Sequence, residues 1–140
     1  MIPIVYINSR SVPFVSLIMQ RIKIYETRTR NMLNSIVGMR VLIAETGNGN
    51  PVIRCSARIA SVFPVRSSAE WESLARSHCV PVGSEYDWKP TTKIKWLYTL
   101  TDVQPVPAFP IPDGRIPHGR SWAELPDSLY PFPFSSSFRS

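Results

Sequence analysis

The sequence predicts a small α+β domain, in which a mixed or antiparallel β-barrel is flanked by two or three short helices. Several segments have the alternating apolar pattern of β-strands, and two short ones have the apolar stripe of helices. Glycine and proline clusters separate these segments, as is typical of small barrels. At 140 residues the chain is long enough to bury a core as one domain.

The first half of the chain predicts four strands and one buried helix. Residues 2–7 predict an opening strand, and a turn at 8–11 leads into a helix that Ser11 caps, with Pro13 in its first turn. Strands are predicted at 21–29, 39–46 and 52–63, with a helical turn or loop at 31–38. In the strand at 52–63, alternation predicts Ile53, Cys55, Ala57, Ile59 and Phe63 inward and Arg54, Ser56 and Arg58 outward.

The second half predicts one more helix and one more strand. Ser67 and Glu70 form the capping box of a helix to about His78, with its apolar stripe on Trp71, Leu74 and Ala75. A loop at 81–90 precedes a strand at 93–103, whose predicted inward residues are Ile94, Trp96, Tyr98 and Leu100.

The C-terminal third is rich in proline, which interrupts regular structure. Residues 105–119 are predicted to be extended and irregular, and residues 121–125 to form one turn. Residues 126–140, rich in proline, phenylalanine and serine, are predicted to be a tail that the fold does not need. The predicted domain therefore spans residues 1–125.

Composition predicts a cytoplasmic protein with no metal, no cofactor and no membrane partner. No apolar run approaches the length of a membrane span, and no secretory signal is recognisable at the start. Cys55 and Cys79 lack metal-ligand spacing and are predicted to be buried free thiols in a reducing compartment. His78 and His118 have no cysteine or carboxylate at metal spacing. The oligomeric state stays open.

The positive charge is concentrated in the first part of the chain. Residues 1–58 carry eight basic and two acidic residues, so they account for the whole net charge of +6, and residues 59–140 are balanced. A localised basic field suggests a polyanionic partner, RNA or DNA first. The alternative is a basic surface that is merely solvated.

The segment at 21–28 is where a site is expected. If the strand is regular, Ile22 and Ile24 share one face with Glu26 and Arg28, so a charged pair continues a core-facing row. Such a pair is costly unless it is paired or used. Lys23 falls on the other face, and a bend or bulge would bring it to the pair. The alternative interpretation is an ion pair that closes one end of the barrel.

Residues 11–28 resemble the signature region of the ASCH domains, which belong to the PUA-like β-barrel superfamily. Their pattern is a proline-containing helix, then Gly-x-Lys-x-x-Glu-x-Arg, then a strand after a glycine. Lys23, Glu26 and Arg28 match this pattern, Gly38 stands before the next strand, and Arg21 stands where the pattern has glycine. The resemblance spans roughly residues 2–104 and implies a PUA-like barrel.

The resemblance also implies a cleft for RNA or a nucleotide-like ligand, lined by the three motif residues. Some ASCH domains look like RNA-binding modules, and others are hydrolases such as ribonucleases and amidohydrolases of acetylcytidine. The amidohydrolase pattern has a threonine nucleophile three residues after the lysine, where this chain has Glu26; Thr27 is adjacent but on the opposite face of a regular strand. That departure argues against this particular chemistry.

These observations predict an RNA-binding protein with a basic cleft, and leave a metal-independent hydrolase acting on RNA or a modified nucleoside as the alternative. Tyr86 and Trp88, on a polar loop, are candidates to stack on unpaired bases. The candidate catalytic residues are Lys23, Glu26 and Thr27. The candidate ligand-binding residues are Ser11, Lys23, Tyr25, Arg28, Arg54, Arg58, Tyr86 and Trp88.

Overall fold

The computed structural model of the protein describes residues 1–133, in which a seven-stranded mixed sheet forms a half-barrel with three short helices. The strands are β1 Ile2–Asn8, β2 Tyr25–Arg28, β3 Arg40–Thr46, β4 Val52–Val65, β5 Lys95–Pro110, β6 Ile116–His118 and β7 Trp122–Leu125. The helices are α1 Phe14–Met19, α2 Ser68–Ser73 and α3 Ala75–His78, with 3₁₀ turns at Asn34–Ile36 and Asp127–Leu129. The predicted α+β class and mixed sheet are confirmed. No helix within residues 1–133 is long and apolar enough to cross a membrane.

The strand order is β2-β5-β4-β3-β1-β7-β6. Strands β1 and β3 are parallel, and every other neighbouring pair is antiparallel. Although β2 and β1 are not neighbours in this order, the Arg28 guanidinium on β2 donates to the Tyr6 carbonyl on β1 at 2.8 Å. The sheet therefore curls until its β2 edge faces β1, and the half-barrel stays open between them.

The sheet has an apolar cluster on each face because side chains alternate along its strands. Val5 and Ile7 of β1 belong to the cluster inside the half-barrel, together with Trp71 and the α1 helix. Ile2 and Ile4 belong to the cluster on the opposite face, which Phe109 and Leu125 complete. Strand β3 is divided in the same way and is buried on both faces, which explains its continuous apolar run.

The motif segment differs from the prediction because the strand begins at Tyr25 rather than at residue 21. Helix α1 ends in a Schellman motif, in which the Ile22 N–H bonds to the Leu17 carbonyl and the Arg21 N–H to the Ile18 carbonyl. Arg21 takes the left-handed conformation with φ 61°, where the ASCH pattern has glycine. Residues 22–24 lie between this turn and β2, outside the strand, so strand alternation does not apply to them: Ile22 and Ile24 are exposed and Lys23 is buried.

The C-terminal third is more regular than predicted. Strand β5 continues to Pro110, and β6 and β7 replace the predicted irregular segment and turn. Beyond Thr99, β4 is the only strand within residues 1–133 that pairs with β5, since β2 pairs no further than that residue. The prolines after residue 104, which lack an N–H, therefore interrupt no hydrogen bonds to a second neighbouring strand. Strand β7 forms because the free edge of β1 accepts it, with Ile2 opposite Leu125.

Three further details of the helices differ from the prediction. Ser11 does not cap α1; instead, the Ser9 hydroxyl accepts a hydrogen bond from the Val15 N–H. The predicted helix to His78 is divided at Leu74 into α2 and α3, although Ser67 caps its start as predicted. Ala75, expected in its apolar stripe, is exposed.

Burial in β4 and β5 also departs from strict alternation, because the ladder between them contains three register shifts. Ser56, predicted outward, is buried and accepts a hydrogen bond from Arg40. At the start of β5, Lys95 and Leu97 are buried, whereas Trp96 is half-buried. Tyr98 and Leu100 are buried as predicted, so β5 is covered on both sides here and Lys95 lies in the interior.

Residues 126–133 of the predicted tail follow the sheet directly. The Phe132 ring lies edge-on to Phe109, 5.5 Å between centroids, and Tyr130 lies 6.0 Å from the same ring. Residues 134–140 lie outside the described residues. The boundary at 125 and the dispensability of the tail stay predictions, but the described part of the tail packs on the second apolar cluster.

Candidate functional site

A cleft of about 430 Å³ occupies the opening between β2 and β1. Strand β2 and the residue after it form one wall, strand β1 forms the other, and the loop at 85–86 and the β6–β7 turn close its ends. The lining residues are Tyr6, Ile7, Asn8, Phe14, Glu26, Thr27, Arg28, Thr29, Met32, Thr46, Glu85, Tyr86, Lys95, Arg120 and Ser121.

Glu26 and Arg28 lie side by side on the β2 wall of the cleft. One Glu26 oxygen accepts the Thr27 N–H at 2.8 Å, and the other lies 3.4 Å from Arg28 Nη2. The same Nη2 donates to the Tyr6 carbonyl at 2.8 Å. The guanidinium is therefore held across the opening, with 16% of its side chain exposed for a ligand.

Lys23 lies behind the cleft rather than in it. Its side chain is 1% exposed, and Nζ donates to the His78 carbonyl at 2.5 Å and lies 4.6 Å from the centre of the Phe14 ring. Burial lowers the pKa of Lys23, with the Glu26 carboxylate acting in the opposite direction. The His78 carbonyl ends helix α3, so Lys23 attaches that helix to the barrel.

The predicted convergence of the three motif residues thus separates into two parts. Glu26 and Arg28 line one cleft, whereas Lys23 is adjacent and interacts with Glu26 electrostatically without lining it. The local backbone explains both the position of Lys23 and that of the Glu26–Arg28 pair. The turn at Arg21 sends Lys23 inward before the strand begins, and the regular strand then puts Glu26 and Arg28 on one face.

Lys95 is a cleft residue that the sequence did not identify. It is 5% exposed, donates from Nζ to the Tyr86 carbonyl, and places Nζ 4.7 Å from the centre of the Trp71 ring. Burial lowers the pKa of Lys95, against the opposing effect of Asp87. Alternation in β5 predicts Lys95 outward, together with Leu97, but Tyr98 and Leu97 are both buried, so both sides of the strand are covered at this point.

Tyr86 lines the cleft, as predicted, and its ring lies edge-on to Phe14 at 5.6 Å. Burial raises the pKa of Tyr86, and the hydrogen-bonded Glu85 carboxylate raises it further. Ser11 does not line the cleft but donates to Glu85 at 3.2 Å. Ser11 therefore anchors the loop that carries Tyr86.

Arg120 and Ser121, in the turn between β6 and β7, are also cleft residues that the sequence did not identify. The Ser121 carbonyl accepts the Tyr6 N–H at 3.0 Å, which fixes the turn against β1. Arg120 is exposed and makes no hydrogen bond or ion pair with residues 1–133. Gly119, with φ 73°, is a local signal for the turn, but its location at the cleft depends on the pairing of β7 with β1.

The remaining predicted ligand-binding residues lie outside the cleft. Tyr25 is half-buried and packs edge-on against Phe63 at 5.4 Å, and Trp88 packs against Trp71 at 6.2 Å. Arg54 pairs with Glu45 at 3.5 Å, and Arg58 donates to the Gly38 carbonyl at 2.8 Å.

His78 has a structural role. Its Nδ1 accepts the Val80 N–H at 2.9 Å, so Nε2 carries the proton and donates to the Trp71 carbonyl at 3.0 Å. Its ring also stacks on Trp71 at 3.9 Å, and burial lowers the pKa of His78. A protonated ring would lose the Val80 hydrogen bond.

The charges in the cleft favour an anionic ligand. Arg28, Lys95 and Arg120 supply three cations, against the two carboxylates of Glu26 and Glu85. Both carboxylates already accept hydrogen bonds from the protein, whereas Arg120 is unpaired among the described residues. Within residues 1–133, no three histidine, cysteine, aspartate or glutamate side chains group to hold a metal ion.

Solved structures with the same fold are those of the ASCH protein of Zymomonas mobilis and two of its variants. The ASCH structure gives a TM-score of 0.70 at 16% identity, covering 90% of this chain and 88% of that one. A tyrosine-to-phenylalanine variant gives 0.71 at 15% identity, covering 90% and 91%, and a serine-to-alanine variant gives 0.69 at 16%, covering 90% and 89%. The chain therefore has an ASCH-type fold, and the resemblance stated from the sequence is confirmed at the level of the fold. No family model and no curated protein matches the sequence.

Proposed function

We propose that this protein binds single-stranded RNA in the cleft between β2 and β1, the open side of a PUA-like barrel. The observation that carries the proposal is the arrangement of Arg28, Lys95 and Arg120 around one opening that also exposes Tyr86. Arginine presents a planar set of donors to phosphate, and aromatic rings stack on unpaired bases. The pair of Glu26 with Arg28 orients the guanidinium without neutralising the cleft as a whole.

The test is the binding of a labelled oligouridylate octamer, followed by fluorescence anisotropy without added metal. If three cations contact phosphates, the logarithm of affinity falls with the logarithm of salt at a slope of about −2. Affinity then falls roughly 15-fold between 50 and 200 mM salt. Affinity that does not change with salt would refute the electrostatic part of the proposal.

A charge reversal at Arg120 tests the location. Arg120→Glu is expected to weaken binding about tenfold, since it replaces an unpaired cation in the cleft by an anion. The matched control is Arg66→Glu, because Arg66 is an exposed arginine that does not line the cleft. Equal losses in the two variants would remove the cleft from the proposal. Arg54→Glu and Arg58→Glu test whether the predicted outer arginines contribute.

A metal-independent hydrolase acting on RNA or a modified nucleoside is the second candidate. The observation that favours it is a carboxylate, Glu26, in one cleft with an amine, Lys95, whose pKa burial lowers. General acid–base catalysis needs such a pair within reach of the same substrate. The same incubations in the presence of EDTA, analysed for cleavage products, separate the candidates. RNA cleavage by the wild-type protein that is abolished in the Lys95→Met variant and also in the Glu26→Gln variant would support the hydrolase.

A further inference from the structure

A second cavity, of about 580 Å³, adjoins the cleft on the side of the β6–β7 turn. Tyr6, Thr46 and Arg120 line both cavities, so the two meet along these residues. The second cavity continues past the start of β4, the end of β5 and the segment that leads into β6. Each cavity alone has the size of a small-molecule site, about 300–1,000 Å³.

The second cavity carries positive charge without a carboxylate. Arg115 and Arg120 are among its lining residues, and no aspartate or glutamate is. Its other walls combine apolar residues, including Pro51, Pro110 and Ile111, with the polar Thr46 and Asn50. A cavity that combines two guanidinium groups with flat apolar surfaces suits a phosphate and the base attached to it.

Tyr6 connects the two cavities structurally. Its carbonyl accepts from Arg28 at 2.8 Å in the cleft, and its hydroxyl accepts from Arg115 Nε at 3.1 Å in the second cavity. A further hydrogen bond from Arg115 to the Pro112 carbonyl, at 3.4 Å, orients the same guanidinium. One residue thus holds an arginine on each side, and the unpaired Arg120 stands where the two cavities join.

We infer that the RNA site extends through both cavities, so that its ligand is an oligonucleotide chain rather than a single nucleotide. The inference rests on the proposed RNA binding and specifies its substrate class. Arg28 contacts one phosphate in the cleft, Arg120 the phosphate at the junction, and Arg115 a phosphate in the second cavity. The ridge of Tyr6 separates the two bases that the cavities accommodate.

The experiment compares ligand lengths on the full chain. A labelled oligouridylate octamer is expected to bind at least tenfold more tightly than the dinucleotide UpU, measured by competition. Arg115→Glu is expected to weaken octamer binding about tenfold, to reduce the salt slope by about 0.7, and to leave dinucleotide binding within about twofold. Arg66→Glu, measured in parallel, keeps the wild-type values.

Arg115→Glu also removes the hydrogen bond to Tyr6, so Arg115→Gln, which loses the charge but keeps a donor, is measured with it. A folded Arg115→Gln variant is expected to lose octamer affinity about threefold and to keep the dinucleotide affinity. Equal affinity for octamer and dinucleotide, or octamer binding unaffected by either variant, would overturn the inference while RNA binding stands. Absence of binding to RNA of any length would overturn the proposed function and the inference together.

Discussion

Replacing Glu26 by glutamine tests the carboxylate at the centre of the motif. The variant keeps the shape of the side chain and an oxygen that can accept the Thr27 N–H, which lies 2.8 Å from Glu26 now. It places a neutral amide 3.4 Å from the Arg28 guanidinium and so removes the charge pair. Glu26 has three candidate roles: it orients Arg28, it transfers protons, or it forms a buried structural pair. Each role predicts a different effect of this variant on stability, RNA affinity and turnover.

The structure sets the expected loss of stability. Breaking a fully buried pair costs about 3–5 kcal/mol, because the remaining charge has no partner. Here Arg28 keeps its hydrogen bond to the Tyr6 carbonyl and is 16% exposed at the cleft. We therefore expect a loss of about 2 kcal/mol, as for a hydrogen bond to a charged group. At about 2–4 °C per kcal/mol, the melting temperature falls by about 4–8 °C.

RNA affinity and turnover complete the assay. If Glu26 orients Arg28 for binding, removing an anion beside the phosphates leaves affinity unchanged or raises it up to about fivefold. If Glu26 transfers protons, turnover falls about 100-fold while binding is preserved. A stability loss near 4 kcal/mol, with neither binding nor turnover affected, would indicate a purely structural pair.

Glu45→Gln is the matched control. Glu45 pairs with Arg54 at 3.5 Å, nearly the same separation, and neither residue lines the cleft. The control removes the same charge from a similar pair and is expected to leave RNA affinity unchanged. A Glu26→Gln protein indistinguishable from wild type in melting, binding and turnover would show that the described contacts of Glu26 have no energetic consequence, and the reasoning would be wrong.

Three further predictions concern stability. The Arg21→Gly variant is expected to be about 1 kcal/mol more stable than the Arg21→Ala variant by thermal melting. Both variants lose the guanidinium, but only glycine adopts the left-handed φ of 61° without strain. Equal melting temperatures of the two variants would contradict the Schellman interpretation. Burial lowers the pKa of His78 below 6.5, so the unfolded chain takes up a proton that the folded chain does not, and the free energy of unfolding falls as pH drops below about 6.5. Chemical denaturation at pH 7.5 and 5.5 measures this difference in the free energy of unfolding. The His78→Gln variant is expected to lose the difference, and the His118→Gln variant is expected to keep it. Phe132→Ala is expected to cost about 1–2 kcal/mol, less than a fully buried phenylalanine, and an unchanged denaturation midpoint would show that its contact with Phe109 contributes nothing.

The parts of the fold that the sequence predicts correctly are those with strong local signals. Strands β1, β3 and β4 have long apolar patterns, and Ser67 caps its helix as its spacing with Glu70 indicates. The location of β7 depends instead on an unpaired edge of β1, which lies more than a hundred residues away in sequence. Local preference cannot show that pairing, so residues 121–125 were predicted as a turn.

Lys23 and Lys95 depart from the alternation that the sequence predicts for their segments. Counting from residue 21 puts Ile22 in the core and Lys23 on the far face, but Arg21 forms a left-handed turn and the strand begins only at Tyr25, so alternation does not apply to residues 22–24. Lys95 is buried although the alternation of its strand puts it outward, because the Trp71 ring covers that side of β5, 4.7 Å from Lys95 Nζ. Left-handed turns at non-glycine residues have weak sequence signals, so the sequence does not mark the start of the motif strand after Arg21.

The motif residues form one series of contacts that links helix α3 to the cleft between β2 and β1. Lys23 binds the end of α3 through the His78 carbonyl and interacts with Glu26. Glu26 orients Arg28, and Arg28 binds the Tyr6 carbonyl across the opening. Since the lysine is buried and the arginine is partly exposed, the Lys-x-x-Glu-x-Arg pattern here combines a structural anchor with a side chain that reaches the cleft. On this basis, replacing Lys23 should change stability first and binding only through the position of Arg28.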